Sequence, residues 1–213
     1  MFIKWIKCLV NEEDKDAFSL AQQQWRNLES AEGFLGQVGG WNKKQPCEAG
    51  IISFWKDDIS YWQFMERIHD EIVDMNKQRN TYTHISVELY DGQRQIGKEH
   101  PFVDVLTEGC ILRAGDCTVK RGNEADFERT QREVWNPGME ETGGILASVF
   151  CRSQTDIQRY LAVSIWKSEE IHEQYVKGKV SKLRERSSVT EITERISGHV
   201  IEMDRSWIVL PNG

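Results

Sequence analysis

The chain has 213 residues, 39% hydrophobic and 29% charged, with a formal net charge of −7. This suits a soluble globular protein of one or two domains and argues against disorder; the acidic balance disfavours nonspecific nucleic-acid binding, which draws its affinity from phosphate neutralisation. No apolar run reaches membrane-spanning length, and five cysteines with no Cys-x-x-Cys pair read as reduced thiols in a cytoplasmic protein without a metal framework.

Phe2 to Val10 reads as a first strand. Asn11 or Asp14 then supplies a side-chain oxygen to cap a helix, in which Phe18, Ala21, Trp25 and Leu28 mark one buried face. Gly33 breaks that helix, and Phe34 to Trp41 is a glycine-rich strand. A turn over Asn42 to Pro46 leads to a buried strand from Gly50 to Trp55. Asp57 or Asp58 opens a second helix with the seam Tyr61, Met65, Ile68 and Ile72, and the alternating Thr83 to Tyr90 closes the unit as a strand.

The unit then recurs. Cys8, Val10 and Phe18 return as Cys117, Val119 and Phe127, and Ser53, Trp55 and Lys56 as Ser164, Trp166 and Lys167. The offset grows from 109 at Cys8 and Cys117 to 111 at Trp55 and Trp166. A period this long marks a duplicated domain, because solenoid repeats are shorter. The order strand–helix–strand–strand–helix–strand is ferredoxin-like. The fold class expected is therefore α+β, two ferredoxin-like βαββαβ repeats in an intrachain dimeric-α/β-barrel arrangement. The first repeat is placed over 1–92, a polar connector over 93–109, and the second repeat over 110–213, with a short inserted helix near 188–197.

Helices cover one face of each such sheet, so the other face of one copy can cover that of the other and enclose a pocket between the sheets. Alternation puts Ile52 and Phe54 on one face and Ile51, Ser53 and Trp55 on the other. The large apolar set is assigned to the helices. The mixed set, with Gln37 and its counterparts Ser148 and Ser164, is assigned to the inter-sheet pocket.

Glu32-Gly33-Phe34-Leu35-Gly36, with Ile52-Ser53-Phe54-Trp55-Lys56-Asp57 and Tyr61, resembles the antibiotic-biosynthesis-monooxygenase-like group of the dimeric α/β barrel superfamily. The whole chain resembles an uncharacterised bacterial family in which two such units are fused. The resemblance implies either cofactor-independent oxidation of a small aromatic substrate or haem-linked chemistry. The cofactor-independent oxygenases use a tryptophan and a tyrosine six residues apart, a spacing that Trp55 and Tyr61 share, with an asparagine at the position held here by Ile51. In the second copy His172 follows Trp166 at the same distance. The haem degraders use a tryptophan where this chain has Phe64 and Tyr175, and His69 is the one residue that could stand in as an axial ligand.

Trp55, Tyr61, Trp166 and His172 are the catalytic candidates; Gln37, Ser53, Ser148, Ser164 and His69 are the ligand-binding candidates. A tryptophan can stack on a flat ligand and donate from its indole N–H, Tyr61 can donate to a phenolic substrate, and His172 can act as a base. Each also has a plain reading: the tryptophans as core, Tyr61 as a helix-seam residue, and His172 as a solvent-facing side chain behind Ser168-Glu169-Glu170. The expected function is monooxygenase-like oxidation of a small aromatic molecule without metal or resident cofactor. Non-catalytic binding of a small ligand such as haem, in a stress-associated role, is the alternative. No nucleic-acid or membrane partner is expected, and the chain is expected to be a monomer or homodimer.

Overall fold

The computed structural model describes residues 1–212, which fall into two compact units. Unit 1 comprises Met1–Leu89 with the C-terminal segment from Ile201; unit 2 comprises Tyr90–Val200.

Unit 1 opens with β1 (Phe2–Leu9) and α1 (Lys15–Gln23), which tightens into a 3₁₀ turn over Gln24–Ser30. β2 (Phe34–Asn42) and β3 (Gln45–Trp55) form a hairpin, followed by α2 (Asp58–Arg67), α3 (His69–Asn76) and the first half of β4 (His84–Ile96). The sheet order β4-β1-β3-β2 is that of a ferredoxin-like unit. Asp57 caps α2 by accepting from the Ser60 backbone N–H at 2.8 Å and the Ser60 hydroxyl at 2.6 Å. Neither Asn11 nor Asp14 makes the corresponding side-chain cap on α1.

In unit 2, β4 continues to Ile96 and is followed by α4 (Phe102–Glu108). The region read as a polar connector is thus a strand end and a helix. β5 (Ile111–Val119), α5 (Glu124–Thr130) and α6 (Asn136–Glu140) come next, then β6 (Ile145–Ser153) and β7 (Arg159–Trp166). α7 (Glu169–Gly178), α8 (Val180–Ser187) and α9 (Val189–Ile192) lead into β8 (Thr193–Met203). The inserted helix is one turn, and the last strand already starts at Thr193, within the 188–197 stretch expected to be helical. The sheet order β8-β5-β7-β6 repeats that of unit 1. Tyr90–Ile96 adds a further strand beside β6, as Ile201–Met203 does beside β2 in unit 1.

The first step in the repeat offset, from 109 to 110, has a local cause. Gln131–Trp135, between α5 and α6, is a π-turn. A π-turn accommodates one extra residue in a helix. Phe18 and Phe127, before it, are 109 apart; Trp25 and Trp135, at its end, are 110 apart.

β2 and β6 each carry a bulge at the same place. Phe34 pairs with Trp55 and Gly36 with Phe54, so Leu35 is the extra residue; Leu146 is its counterpart between Ile145 and Ala147. The bulge puts Phe34 and Gln37 on one face, where strict alternation would separate them.

The helix-facing side of each sheet is opposite to the one expected. Phe2, Phe34 and Trp55 pack against Leu28, Tyr61, Phe64 and Ile72 from the helices, and Cys8, Ala49 and Ile51 pack against Phe18 and Trp207. In unit 2, Ile111 and Trp166 pack against Met139, Tyr175 and Leu183. Ile52 and Phe54 therefore lie on the face away from the helices, where they are fully buried with Ile3 and Val38. Size and apolarity mislead here because both faces are buried, and the helix side is the one that keeps room for polar groups.

Candidate functional site

The cavity of unit 1 lies between its own sheet and helices, not between the sheets as expected. It measures about 280 Å³. β1, β3 and β2 form its floor; α1, α2, α3 and the Gln78–Tyr82 stretch form its walls.

The floor carries a polar rung. Lys4 pairs with Ser53 across β1 and β3, and Gln37 pairs with the same Ser53 across β3 and β2. The three side chains therefore stand side by side, about 4.8 Å from strand to strand, and all three line the cavity. Trp55 donates its indole N–H to the Ser53 hydroxyl oxygen at 3.1 Å, which leaves the Ser53 O–H to point elsewhere. Gln37 is bound through its backbone to Val209 in both directions, but its buried side-chain Nε2 has no acceptor. Lys4 is 8% exposed and has no carboxylate within ion-pair reach among the described residues; its ammonium lies 5.7 Å from the Tyr61 ring centroid. Burial lowers its pKa to about 8.

The walls are aromatic, with Phe18, Trp25, Trp55, Tyr61, Phe64 and Tyr82. Phe64 stacks on Trp55 at 5.0 Å, and Tyr61 meets Trp55 edge-on at 5.8 Å. Burial pushes the Tyr61 phenol up to about 12. Trp25 donates to Gln78, and Gln78 to Gln22, so the polar groups of that wall are satisfied among themselves. His69 at the start of α3 stands between the Trp25 and Phe64 rings, and its Nδ1 lies 2.9 Å from the exposed carboxylate of Asp70. Burial, as the main cause, and the nearby Lys4 charge pull the His69 pKa below its usual value against the opposing pull of Asp70. Burial thus favours the neutral imidazole. With Nδ1–H given to Asp70, Nε2 is left as a base.

Unit 2 repeats the rung and loses the room. Arg113 pairs with Ser164, and Ser148 pairs with Ser164 from the other side. Trp166 donates to Ser164 at 2.9 Å, as Trp55 does to Ser53. The cavity above them is only about 50 Å³ and includes Trp135 and Met139, which the π-turn and α6 bring in.

Trp55, Tyr61, Gln37, Ser53 and His69 thus share one cavity, and Ser148 and Ser164 share the other. Trp166 and His172 line neither. His172 is buried against Trp166 at 5.4 Å, so the expectation that it faces solvent is corrected. The sequence reading missed Lys4. Phe2, Lys4, Ile6 and Cys8 share one strand face and Ile3, Trp5, Lys7 and Leu9 the other, so each face carries one lysine among three apolar residues and the sequence does not single out Lys4.

His69 is the one histidine that lines the cavity, whose volume of about 280 Å³ lies at the lower edge of the range for drug-sized ligands. No group of three or more His, Cys, Asp or Glu side chains placed to hold a metal occurs among the described residues, and no helix among them is long and apolar enough to cross a membrane.

The fold is that of the ferredoxin-like, antibiotic-biosynthesis-monooxygenase-like proteins of the dimeric α/β barrel type. A provisionally named monooxygenase of Fusobacterium nucleatum matches with a TM-score of 0.77 at 11% identity over 100% of this chain and 95% of its own. One of Lactobacillus acidophilus matches at 0.73 and 10% identity, over 98% and 95%. An anthrone oxidase-like protein matches at 0.66 and 9% identity, over 96% and 91%. At these identities the likeness is one of fold.

Residues 2–90 match the family described as Domain of unknown function (DUF4937). The uncharacterized protein YdbC of Bacillus subtilis is 38% identical over 115 residues, 53% of this chain and 92% of YdbC. The chain belongs to this family.

Proposed function

We propose that unit 1 oxidises a small phenolic aromatic compound with molecular oxygen, without a resident cofactor. The observation that supports this most is that a neutral histidine held by Asp70 and a buried lysine without a counter-ion line one aromatic-walled cavity. His69 Nε2 takes the phenol proton, and the Lys4 ammonium stabilises the phenolate that forms. The electron-rich ring then reacts with oxygen while Trp55 and Phe64 hold its plane. One oxygen atom becomes a quinone carbonyl and the other leaves as water, so the ring supplies all the electrons and no external reductant is needed. The fold shared with proteins named as monooxygenases and as anthrone oxidase-like is consistent with this reading.

The test is oxygen uptake by the purified protein with 1,5-dihydroxynaphthalene, which would become a hydroxynaphthoquinone plus water, one O₂ per product. Uptake that disappears in Lys4→Met or His69→Gln supports the assignment. No uptake above the uncatalysed rate contradicts it.

Binding without turnover is the second reading, and unit 2 favours it for that half. Its cavity keeps the rung, with Arg113 in the place of Lys4, but no histidine lines it.

A further inference from the structure

We propose that the rung Lys4–Ser53–Gln37 is an oxyanion subsite, so that unit 1 takes an aromatic monoanion, a carboxylate or phenolate attached directly to a flat ring, in preference to its neutral isostere. The inference rests on the cavity used in the proposed function but not on turnover there.

The rung carries three donor groups, beside the acceptor Oε1 of Gln37. The ammonium of Lys4 has no acceptor. The Gln37 amide Nε2 is buried with no acceptor. The Ser53 oxygen already accepts from Trp55, so its remaining hydrogen-bonding capacity includes a donor. Three donors in one cross-strand row, with no carboxylate among the cavity-lining residues, leave the floor in want of a negative charge. An unmatched buried donor costs free energy in the empty protein. A ligand oxyanion would relieve that cost at Gln37 and pair the Lys4 charge, and a neutral amide of the same shape would bring a donor of its own to a floor already rich in donors.

The ring goes above the rung. Trp55 and Phe64 are stacked on one side, and Phe18, Trp25 and Tyr82 continue the aromatic wall. Gln78 accepts from Trp25 and donates to Gln22, so the helix side offers flat apolar surface and the sheet side offers the charge.

The titratable and charged groups that face Lys4 are few: Cys8 on its own strand, Tyr61 from α2, His69 from α3, and Arg79 and Tyr82 from the stretch before β4. Cys8 and Tyr61 are raised to about 12, Tyr82 is also raised, and His69 is lowered. Between neutral pH and about pH 9.5, Lys4 is the group of this set that changes charge.

The experiment is calorimetric titration of the full chain with 2-naphthoate and with 2-naphthamide, neither of which is a phenol to be oxidised. At pH 7 the carboxylate is expected to bind about tenfold more tightly than the amide, the size of one hydrogen bond to a charged group. The preference should vanish in Lys4→Met, shrink in Gln37→Leu, and fall in the wild-type protein as the pH is raised to about 9.5, where the carboxylate itself stays ionised. The wild-type pH series decides the matter even where a variant does not fold. Equal affinities at pH 7, no binding of the carboxylate, or a preference unchanged by pH would overturn the proposal. An anion preference without oxygen uptake would sink the proposed oxidation alone.

Discussion

The indole N–H of Trp55 donates to the hydroxyl of Ser53, two residues earlier on the same strand, over 3.1 Å, and Trp166 repeats the bond to Ser164 over 2.9 Å. In both repeats the bond ties an aromatic wall to the centre of a polar rung. Replacing either serine by alanine leaves a buried indole N–H without its acceptor, at a cost of about 1–3 kcal/mol. Water can enter the cavity of about 280 Å³ in unit 1 more readily than the one of about 50 Å³ in unit 2. Ser53→Ala should therefore fall near the low end of that range and Ser164→Ala near the high end. Urea denaturation midpoints check this, and the reverse order would contradict the picture of a filled second cavity.

Lys4 should be a liability to the empty protein. Its folded pKa of about 8 lies below the ordinary lysine value of 10.5, so between those limits the unfolded chain binds more protons than the folded one. Stability from this group therefore rises with pH across that window, and the burial cost is fully present below about 8. Lys4→Met removes the cost, on the order of 3 kcal/mol from the shift, less about 1 kcal/mol for the lost contact with the Tyr61 ring. The variant should be more stable by roughly 1–3 kcal/mol at pH 7 and gain little near pH 10.5. Urea denaturation at the two pH values tests it.

The oxidation rate should be bell-shaped in pH. It rises as His69 loses its proton, below the ordinary histidine value because burial lowers that pKa, and falls through about 8 as Lys4 loses the charge that holds the phenolate. Lys4→Arg should move the alkaline limb upward, because a guanidinium stays charged. A pH–rate profile of kcat/KM for both proteins reads this directly.

Unit 2 contains a buried carboxylate with a different task. Asp116 is 1% exposed and accepts from Arg159 Nη2 at 2.8 Å and Nε at 3.2 Å. Arg159→Met should destabilise the protein by about 3 kcal/mol, the lower end for breaking a buried pair, because Arg195 remains 3.8 Å from the same carboxylate. The midpoint of thermal unfolding checks it.

The duplication was legible because Cys8, Trp55 and their counterparts recur at nearly constant offset, and repeated strand–helix order then implies a ferredoxin-like unit. The orientation of the strands was not. Leu35 and Leu146 are bulges that break the alternation, and Ile52 and Phe54 look like helix-side core when the face away from the helices is equally buried. Trp55, Tyr61 and His69 could be singled out as residue types, but their meeting in one cavity depends on that orientation. Lys4 was hidden by the same ambiguity, because a lysine on a first strand has meaning only once its face is known. His172 looked solvent-facing from its polar neighbours, yet the capped start of α7 turns it in against Trp166.

Lys4 is an unpaired cation that waits for an anion. Its side-chain pKa can be followed by NMR with lysine labelled at Cε, in the free protein and with saturating 2-naphthoate. A value near 8 is expected in the free protein, with a clear rise on binding. A value near 10.5, unchanged by the ligand, would contradict it.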